Sequence, residues 1–65
     1  MTFTLKHETI GNYYLEMTIE KFTDIVAVRA YESHGGEYGF PFSENYYSDT
    51  QKATRQYNAL KRKLK

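Results

Sequence analysis

The side chains with the greatest potential for chemistry are two histidines, His7 and His34, together with eight carboxylates. His34 lies in the run Ser33-His34-Gly35-Gly36, and the backbone amides of a His-Gly-Gly run can stabilise an oxyanion. No serine has the flanking glycines of a hydrolase nucleophile, and the two glycines favour a hairpin turn. The histidines lack a zinc-site spacing and a third ligand. We therefore expect a non-enzymatic protein with no catalytic residue, metal or cofactor.

Positive charge is concentrated in the last third of the chain. Residues 1–47 carry three basic and seven acidic side chains, a net charge of −4, whereas residues 48–65 carry six basic side chains and one acidic, a net charge of +5. Such a segment can contact nucleic-acid phosphates or an acidic protein. The alternative is a solvated helix face whose last lysines match the helix dipole. The candidate nucleic-acid contacts are Lys52, Arg55, Arg62 and Lys63.

Aromatic side chains dominate the apolar content, with seven tyrosines, four phenylalanines and no cysteine. Apolar and polar residues alternate along the predicted strands, and this alternation predicts that Tyr14 and Tyr31 face away from the core. There they could pack across strands, stack on bases or contact a protein. Neighbouring glutamates would repel phosphates, which favours a protein contact. Phe22 lies in a predicted loop and either contacts a partner or folds back over Ile25.

The apolar pattern has a period of two in the first two-thirds of the chain and a helical period in the rest. Sixty-five residues suffice for one domain. We predict an α+β domain over 1–65, a four-stranded antiparallel β-meander with one C-terminal α-helix packed on one face. The strands are expected at about 2–9, 13–21, 25–32 and 37–42, and the helix at about 49–64.

A one-residue slip would send every apolar side chain to the wrong face, so the pattern also predicts register. The inferred core pairs are Phe3–Ile19, Leu5–Met17, Leu15–Ala30, Met17–Val28, Ile19–Val26, Val26–Phe42, Val28–Phe40 and Ala30–Tyr38. The inferred outer rows are Lys6–Glu16–Arg29 and Tyr14–Tyr31.

The helix is predicted to begin with Ser48 as its N-cap, in a capping box closed by Gln51. Its apolar stripe consists of Ala53, Tyr57, Leu60 and Leu64, at spacings that place the four on one face. Tyr46 and Tyr47 are assigned to the connection that enters the helix.

Strands, a tyrosine-rich loop and the pattern Ala53-x-x-x-Tyr57-x-x-Leu60-Lys61 resemble the build of short uncharacterised proteins of phages and mobile elements. The resemblance implies this architecture and transfers no active residue. No apolar run is long enough to span a membrane, and Met1–Glu8 lacks the apolar stretch of a signal peptide, so we expect a cytoplasmic protein.

The leading hypothesis is a small interaction module that acts through protein–protein contacts, with a protein partner or as a homodimer. Its candidate contacts are Tyr14, Tyr31 and Phe22. The alternative hypothesis is a nucleic-acid-binding accessory protein that uses the basic C-terminal helix.

Overall fold

A computed structural model describes all 65 residues. The elements are β1 (Thr2–Ile10), β2 (Tyr13–Glu20), β3 (Ile25–His34), β4 (Glu37–Tyr38), β5 (Ser43–Tyr47) and α1 (Thr50–Leu64). The strands form one antiparallel sheet in which β2 lies between β1 and β3, while β4 and β5 both pair with β3. The predicted α+β class, a meander closed by one C-terminal helix, is confirmed.

The centre of the sheet has the predicted register. Leu15 pairs with Ala30, Met17 with Val28, and Tyr14 with Tyr31. These two strands alternate strictly and are joined by a short turn over residues 21–24, so that any other register would expose the apolar side chains.

The register of β1 is only partly as predicted, because a β-bulge interrupts the ladder between Thr4 and Lys6. Phe3 still pairs with Ile19, but Lys6, rather than Leu5, pairs with Met17. A bulge sets two residues opposite one and reverses which side chains face the core in the rest of the strand. The predicted Leu5–Met17 pair and the three-residue loop at 10–12 are therefore wrong, and the turn is two residues long.

The prediction of a strand over 37–42 is wrong beyond Tyr38. Only Glu37 and Tyr38 pair with β3, opposite His34 and Ser33. The chain leaves the ladder after Tyr38 and returns to β3 at Phe42, whose N–H donates to the Ala30 carbonyl at 2.9 Å. Pro41, between them, has no N–H to donate. β5, over residues assigned to a connection, takes the edge position instead. The pairs predicted for Tyr38, Phe40 and Phe42 do not form, and Tyr38 pairs with Ser33.

The helix packs on one face of the sheet through the predicted stripe. Ala53, Tyr57 and Leu60 are buried, and Leu64 packs partly against the same core. Their partners on the sheet include Leu15, Met17, Val26, Val28 and Ala30. The N-cap is Asp49 rather than Ser48, since the Asp49 carboxylate accepts a hydrogen bond from the Gln51 amide at 2.8 Å. No helix of the protein is long and apolar enough to cross a membrane.

Candidate functional site

Three tyrosines meet on the sheet face opposite the helix. The ring centroids of Tyr14 and Tyr31 are 5.9 Å apart, those of Tyr14 and Tyr38 are 5.7 Å apart, and those of Tyr31 and Tyr38 are 6.3 Å apart. The rings are mutually tilted, within the range of favourable aromatic contacts. We call Tyr14, Tyr31 and Tyr38 the tyrosine cluster. Tyr14 and Tyr31 are half-buried and Tyr38 is exposed, so the rings support one another while remaining open to solvent.

Each tyrosine reaches the cluster through strand alternation. Tyr14 and Tyr31 are directly opposite on β2 and β3, and the short β4 brings Tyr38 beside them. Burial, and then the nearby carboxylate of Glu16, raises the pKa of both Tyr14 and Tyr31. The phenols therefore keep their protons at neutral pH, and the Tyr31 hydroxyl donates to Glu16 at 3.3 Å. The sequence prediction that Tyr14 and Tyr31 share a row is confirmed, and Tyr38 is the member that it missed.

Arg29 organises the polar part of the same face. Its guanidinium donates to Glu44 of β5, to Glu16 of β2 at 3.4 Å and to the Thr18 hydroxyl at 3.0 Å. It also lies 5.8 Å from the centroid of the Tyr46 ring, within the range of a cation–π contact. Partial burial disfavours the charged guanidinium, but the interactions with Glu44 and Tyr46 together outweigh the effect of burial and raise the pKa of Arg29. Arg29 is thus a fixed cation held between two carboxylates.

The outer row through Arg29 differs from the predicted one at a single position. Glu16 pairs with Arg29 as expected, but the bulge sets His7, not Lys6, on the other side of Glu16. The His7 ring lies 6.1 Å from the Tyr14 ring. The bulge therefore removes a lysine from this face and extends the aromatic surface by one ring.

Lys6 and Glu8 lie instead on the helix side of the sheet. Glu8 accepts a hydrogen bond from the Tyr57 hydroxyl at 2.9 Å and faces the Lys61 ammonium at 3.3 Å. Lys6 Nζ lies 5.5 Å from the centroid of the Tyr57 ring. The hydrogen bond from Tyr57, followed by Lys61, lowers the pKa of Glu8. These contacts join β1 to the helix.

A basic ridge runs along the helix on the side away from the sheet. At about 100° per residue, Lys52, Arg55, Arg62 and Lys63 fall within one sector of about 100°, roughly opposite the buried stripe. All four side chains are exposed, and none forms an ion pair. The helix itself contains no acidic residue. The four predicted cations are therefore brought together as one surface.

The exposed phenylalanines lie outside both surfaces. Phe22 is 91 % exposed at the tip of the β2–β3 turn, while Tyr14 is near the other end of β2, roughly 25 Å along the strand direction. The structure therefore does not bring Phe22 to the tyrosine cluster. Phe40, which sequence reasoning had placed in the core, is 98 % exposed in the β4–β5 connection.

The candidate site is a surface, since the structure has no pocket, and no group of three or more His, Cys, Asp or Glu side chains is arranged to hold a metal ion. Comparison of the chain with protein-family models, with curated proteins and with solved structures finds no match. Any functional assignment therefore rests on the residues and their geometry.

Proposed function

We propose that this chain is a small non-enzymatic interaction module whose contact surface is the tyrosine cluster together with Arg29. The observation that carries the proposal is the cluster itself: three aromatic rings within 6.3 Å of one another on a sheet face that no element of the chain covers. Tyrosine and arginine are the residue types enriched at protein interfaces and at their energetic hot spots.

The geometry favours a protein partner over a nucleic acid at this face. The rings hold one another in place, so binding costs little side-chain entropy, and their hydroxyl groups can donate hydrogen bonds at the rim. The nearest charges are Arg29, Glu16 and Glu44, which leave the face slightly acidic. A phosphate backbone would meet two carboxylates for one guanidinium, whereas a protein partner can match both signs.

The test is partner retention by the immobilised protein from an extract of its source cells, read by mass spectrometry. Tyr38→Ala should lose the partner that the parent protein retains, because Tyr38 is the most accessible member of the cluster. Phe40→Ala is the matched control, since it removes an even more exposed aromatic side chain two residues away and should retain the partner. Equal retention by both variants, or a parent protein that retains no partner, would contradict the proposal.

A second candidate function, nucleic-acid binding by the helix, is favoured by the basic ridge. Four unpaired cations along about 17 Å of helix, with no acidic residue among them, can follow a phosphate backbone. The ridge and the tyrosine cluster lie on opposite sides of the molecule, so that one does not exclude the other. In this case the protein is an accessory factor that binds nucleic acid without sequence specificity.

Binding to a duplex oligonucleotide, measured by fluorescence anisotropy over a range of salt concentrations, tests this second function. The logarithm of the binding constant should fall linearly with the logarithm of salt concentration, with a slope of about −3 to −4 for four phosphate contacts. Replacing Arg55, Arg62 and Lys63 by Glu should abolish binding. No binding of the parent protein at about 50 mM salt, where screening is weak, would rule the function out.

The proposal extends to the setting of the protein: a cytoplasmic module of a phage or mobile element. The support is the build of strands followed by one helix. Fractionation of source cells, and the identity of the neighbouring genes, would test it.

A further inference from the structure

The open side of β1 is a long sheet edge that nothing in the chain covers. β1 pairs only with β2, and its nine residues make it the second longest strand of the sheet. Alternate N–H and C=O groups along such an edge have no partner within the sheet and form a template for another strand. The other outermost strands, β4 and β5, are two and five residues long.

The backbone groups that point to this open edge are those of Thr2, Thr4, His7 and Thr9. The two-residue turn makes Ile10 and Tyr13 a mutually hydrogen-bonded pair, and bonded and non-bonded pairs alternate along an antiparallel ladder. His7 and Thr9 therefore occupy non-bonded positions toward β2 and direct their N–H and C=O groups to the open side.

The β-bulge preserves a regular spacing on the open side. Leu5 and Lys6 both lie opposite Met17 and therefore count as one position of the ladder. Thr4 and His7 are thus two positions apart, as are His7 and Thr9. The open side has the periodicity that an added strand requires.

We propose that β1 pairs in an antiparallel manner with β1 of a second copy of this chain, about a two-fold axis that passes beside His7. In this register His7 exchanges backbone hydrogen bonds with His7 of the second copy, and Thr4 does so with Thr9 of the second copy. The two sheets become one continuous sheet. The inference goes beyond the proposed function, because it uses the edge of β1 and no member of the tyrosine cluster.

Charge complementarity on the helix side supports this register. In this register Lys6 and Glu8 each lie one ladder position from the axis, on opposite sides of it. Lys6 of one copy therefore lies opposite Glu8 of the second copy, and the two-fold axis generates a second, identical pair. Both pairs are at non-hydrogen-bonded positions, where side chains of neighbouring strands approach most closely. Glu8 already accepts from Tyr57 and faces Lys61, but a carboxylate has about four acceptor sites, so one more donor can be accommodated.

Apolar complementarity supports the same register. Two ladder positions farther from the axis, Phe3 is set opposite Ile10 of the second copy, again on the helix side. Phe3 is 44 % exposed because the helix does not cover this end of β1, and Ile10 is half-buried. Pairing would cover both. On the other side of the sheet, Thr4 meets Thr9, a favourable cross-strand pair.

The dimer would place two tyrosine clusters on the same face of one sheet. With strands about 4.8 Å apart, the β2 strands of the two copies are separated by about 14 Å, and the two His7 rings lie between them. A partner protein with two contact sites could then engage both clusters.

Sedimentation equilibrium of charge variants over a range of protein concentrations tests the inference. The parent protein should show a concentration-dependent monomer–dimer equilibrium. Lys6→Glu and Glu8→Lys each bring like charges together twice and should each raise the dissociation constant roughly tenfold or more. An equimolar mixture of the two variants should recover dimers, because the carboxylate introduced at position 6 of one chain then faces the ammonium introduced at position 8 of the other. The second pair of the mixed dimer is an original Lys6–Glu8 pair.

Lys52→Glu is the matched control for Lys6→Glu, since it makes the same change of charge on the exposed helix and should leave the dimer intact. Tyr38→Ala should also dimerise normally, which separates this inference from the proposed function. Circular dichroism checks that each variant is folded. A parent protein that stays monomeric, a Lys6→Glu variant that dimerises like Lys52→Glu, or a mixture of folded variants that stays monomeric would overturn the inference.

Hydrogen exchange provides a second readout that needs no variant. The His7 and Thr9 amides should exchange more slowly as protein concentration rises, because their N–H groups become paired only in the dimer. Exchange rates that do not depend on concentration would also overturn the inference.

Discussion

The Tyr57 hydroxyl group of the helix donates a hydrogen bond to the Glu8 carboxylate of β1 at 2.9 Å, and this bond joins residues 49 positions apart in the chain. Tyr57 is otherwise buried in the core, so that one side chain contributes apolar area at its ring and a polar link at its tip. Burial, and then the bond to Glu8, raises the pKa of Tyr57. The link depends on the bulge in β1, because only the shifted register turns Glu8 toward the helix.

Tyr57→Phe removes this link while keeping the ring. We expect the free energy of unfolding to fall by about 1 kcal/mol, the typical net value of a hydrogen bond, since the Glu8 carboxylate keeps Lys61 as a partner. Chemical denaturation followed by circular dichroism measures the change. Tyr47→Phe, at a tyrosine whose hydroxyl forms no hydrogen bond, is the control and should be nearly neutral.

The ionised form of Glu8 should stabilise the protein at neutral pH. Because its pKa in the folded protein is lower than the ordinary value of 4.5, the contribution is complete above that value and is lost as the pH falls through the folded pKa. The stability difference between the parent protein and Glu8→Gln should therefore shrink below about pH 4.5. Thermal unfolding at several pH values measures it.

Glu37→Gln controls for the loss of one negative charge, since Glu37 is exposed and has no hydrogen bond or ion pair. If Glu37→Gln reproduced the same pH-dependent difference, the effect would be one of overall charge, and the assigned role of the Tyr57–Glu8 bond would be wrong.

Leu60→Ala should be among the most destabilising substitutions in the helix. Leu60 is buried against the sheet, and removal of its side chain leaves a cavity, at a cost of roughly 2–5 kcal/mol. A domain of this size has little more stability than that. Leu64→Ala, at the half-buried end of the same stripe, should cost clearly less. Equal losses for the two variants in denaturant titrations would show that the stripe is packed evenly to its end, contrary to this account.

The helix, β2 and β3 were predictable because each carries one uninterrupted period. The bulge in β1 was not predictable, since neither Leu5 nor Lys6 is a residue type that marks a break, and Phe3 and Leu5 alternate as they would in an unbroken strand. The cap was misplaced by one residue because Ser48 and Asp49 are both good N-caps. Both errors are local in sequence, but the missed bulge determines on which face of the sheet Lys6 and Glu8 lie.

The fourth strand was misassigned because Tyr38, Phe40 and Phe42 alternate as a buried strand would. Pro41 interrupts that ladder, and β5 has only one covered face and a polar sequence, which weakens its period-two signal. The same error hid Tyr38, since its place in the tyrosine cluster follows from pairing with Ser33 rather than Ala30. The place of Tyr38 in the cluster therefore depends on how β4 pairs with β3 and could not be inferred from its residue type.

Arg29→Met should destabilise the sheet by about 1 kcal/mol, because it removes one guanidinium from two carboxylates and from the nearly buried Thr18 hydroxyl. Arg29→Lys should recover only part of the loss, since an ammonium lacks the planar fork. Arg55→Met, at an exposed arginine without an ion pair, should change stability by less than about 0.5 kcal/mol. Similar losses for both methionine variants in urea titrations would contradict the role given to Arg29.

The central claim, that the tyrosine cluster is a protein-binding surface, is tested most directly by a photo-crosslinking amino acid placed at position 38, with position 40 as the control and position 63 reporting on the basic ridge. We predict a discrete protein adduct from position 38 in source cells, identified by mass spectrometry, and none from position 40. Adducts only to nucleic acid from position 63, with nothing from position 38, would contradict the claim.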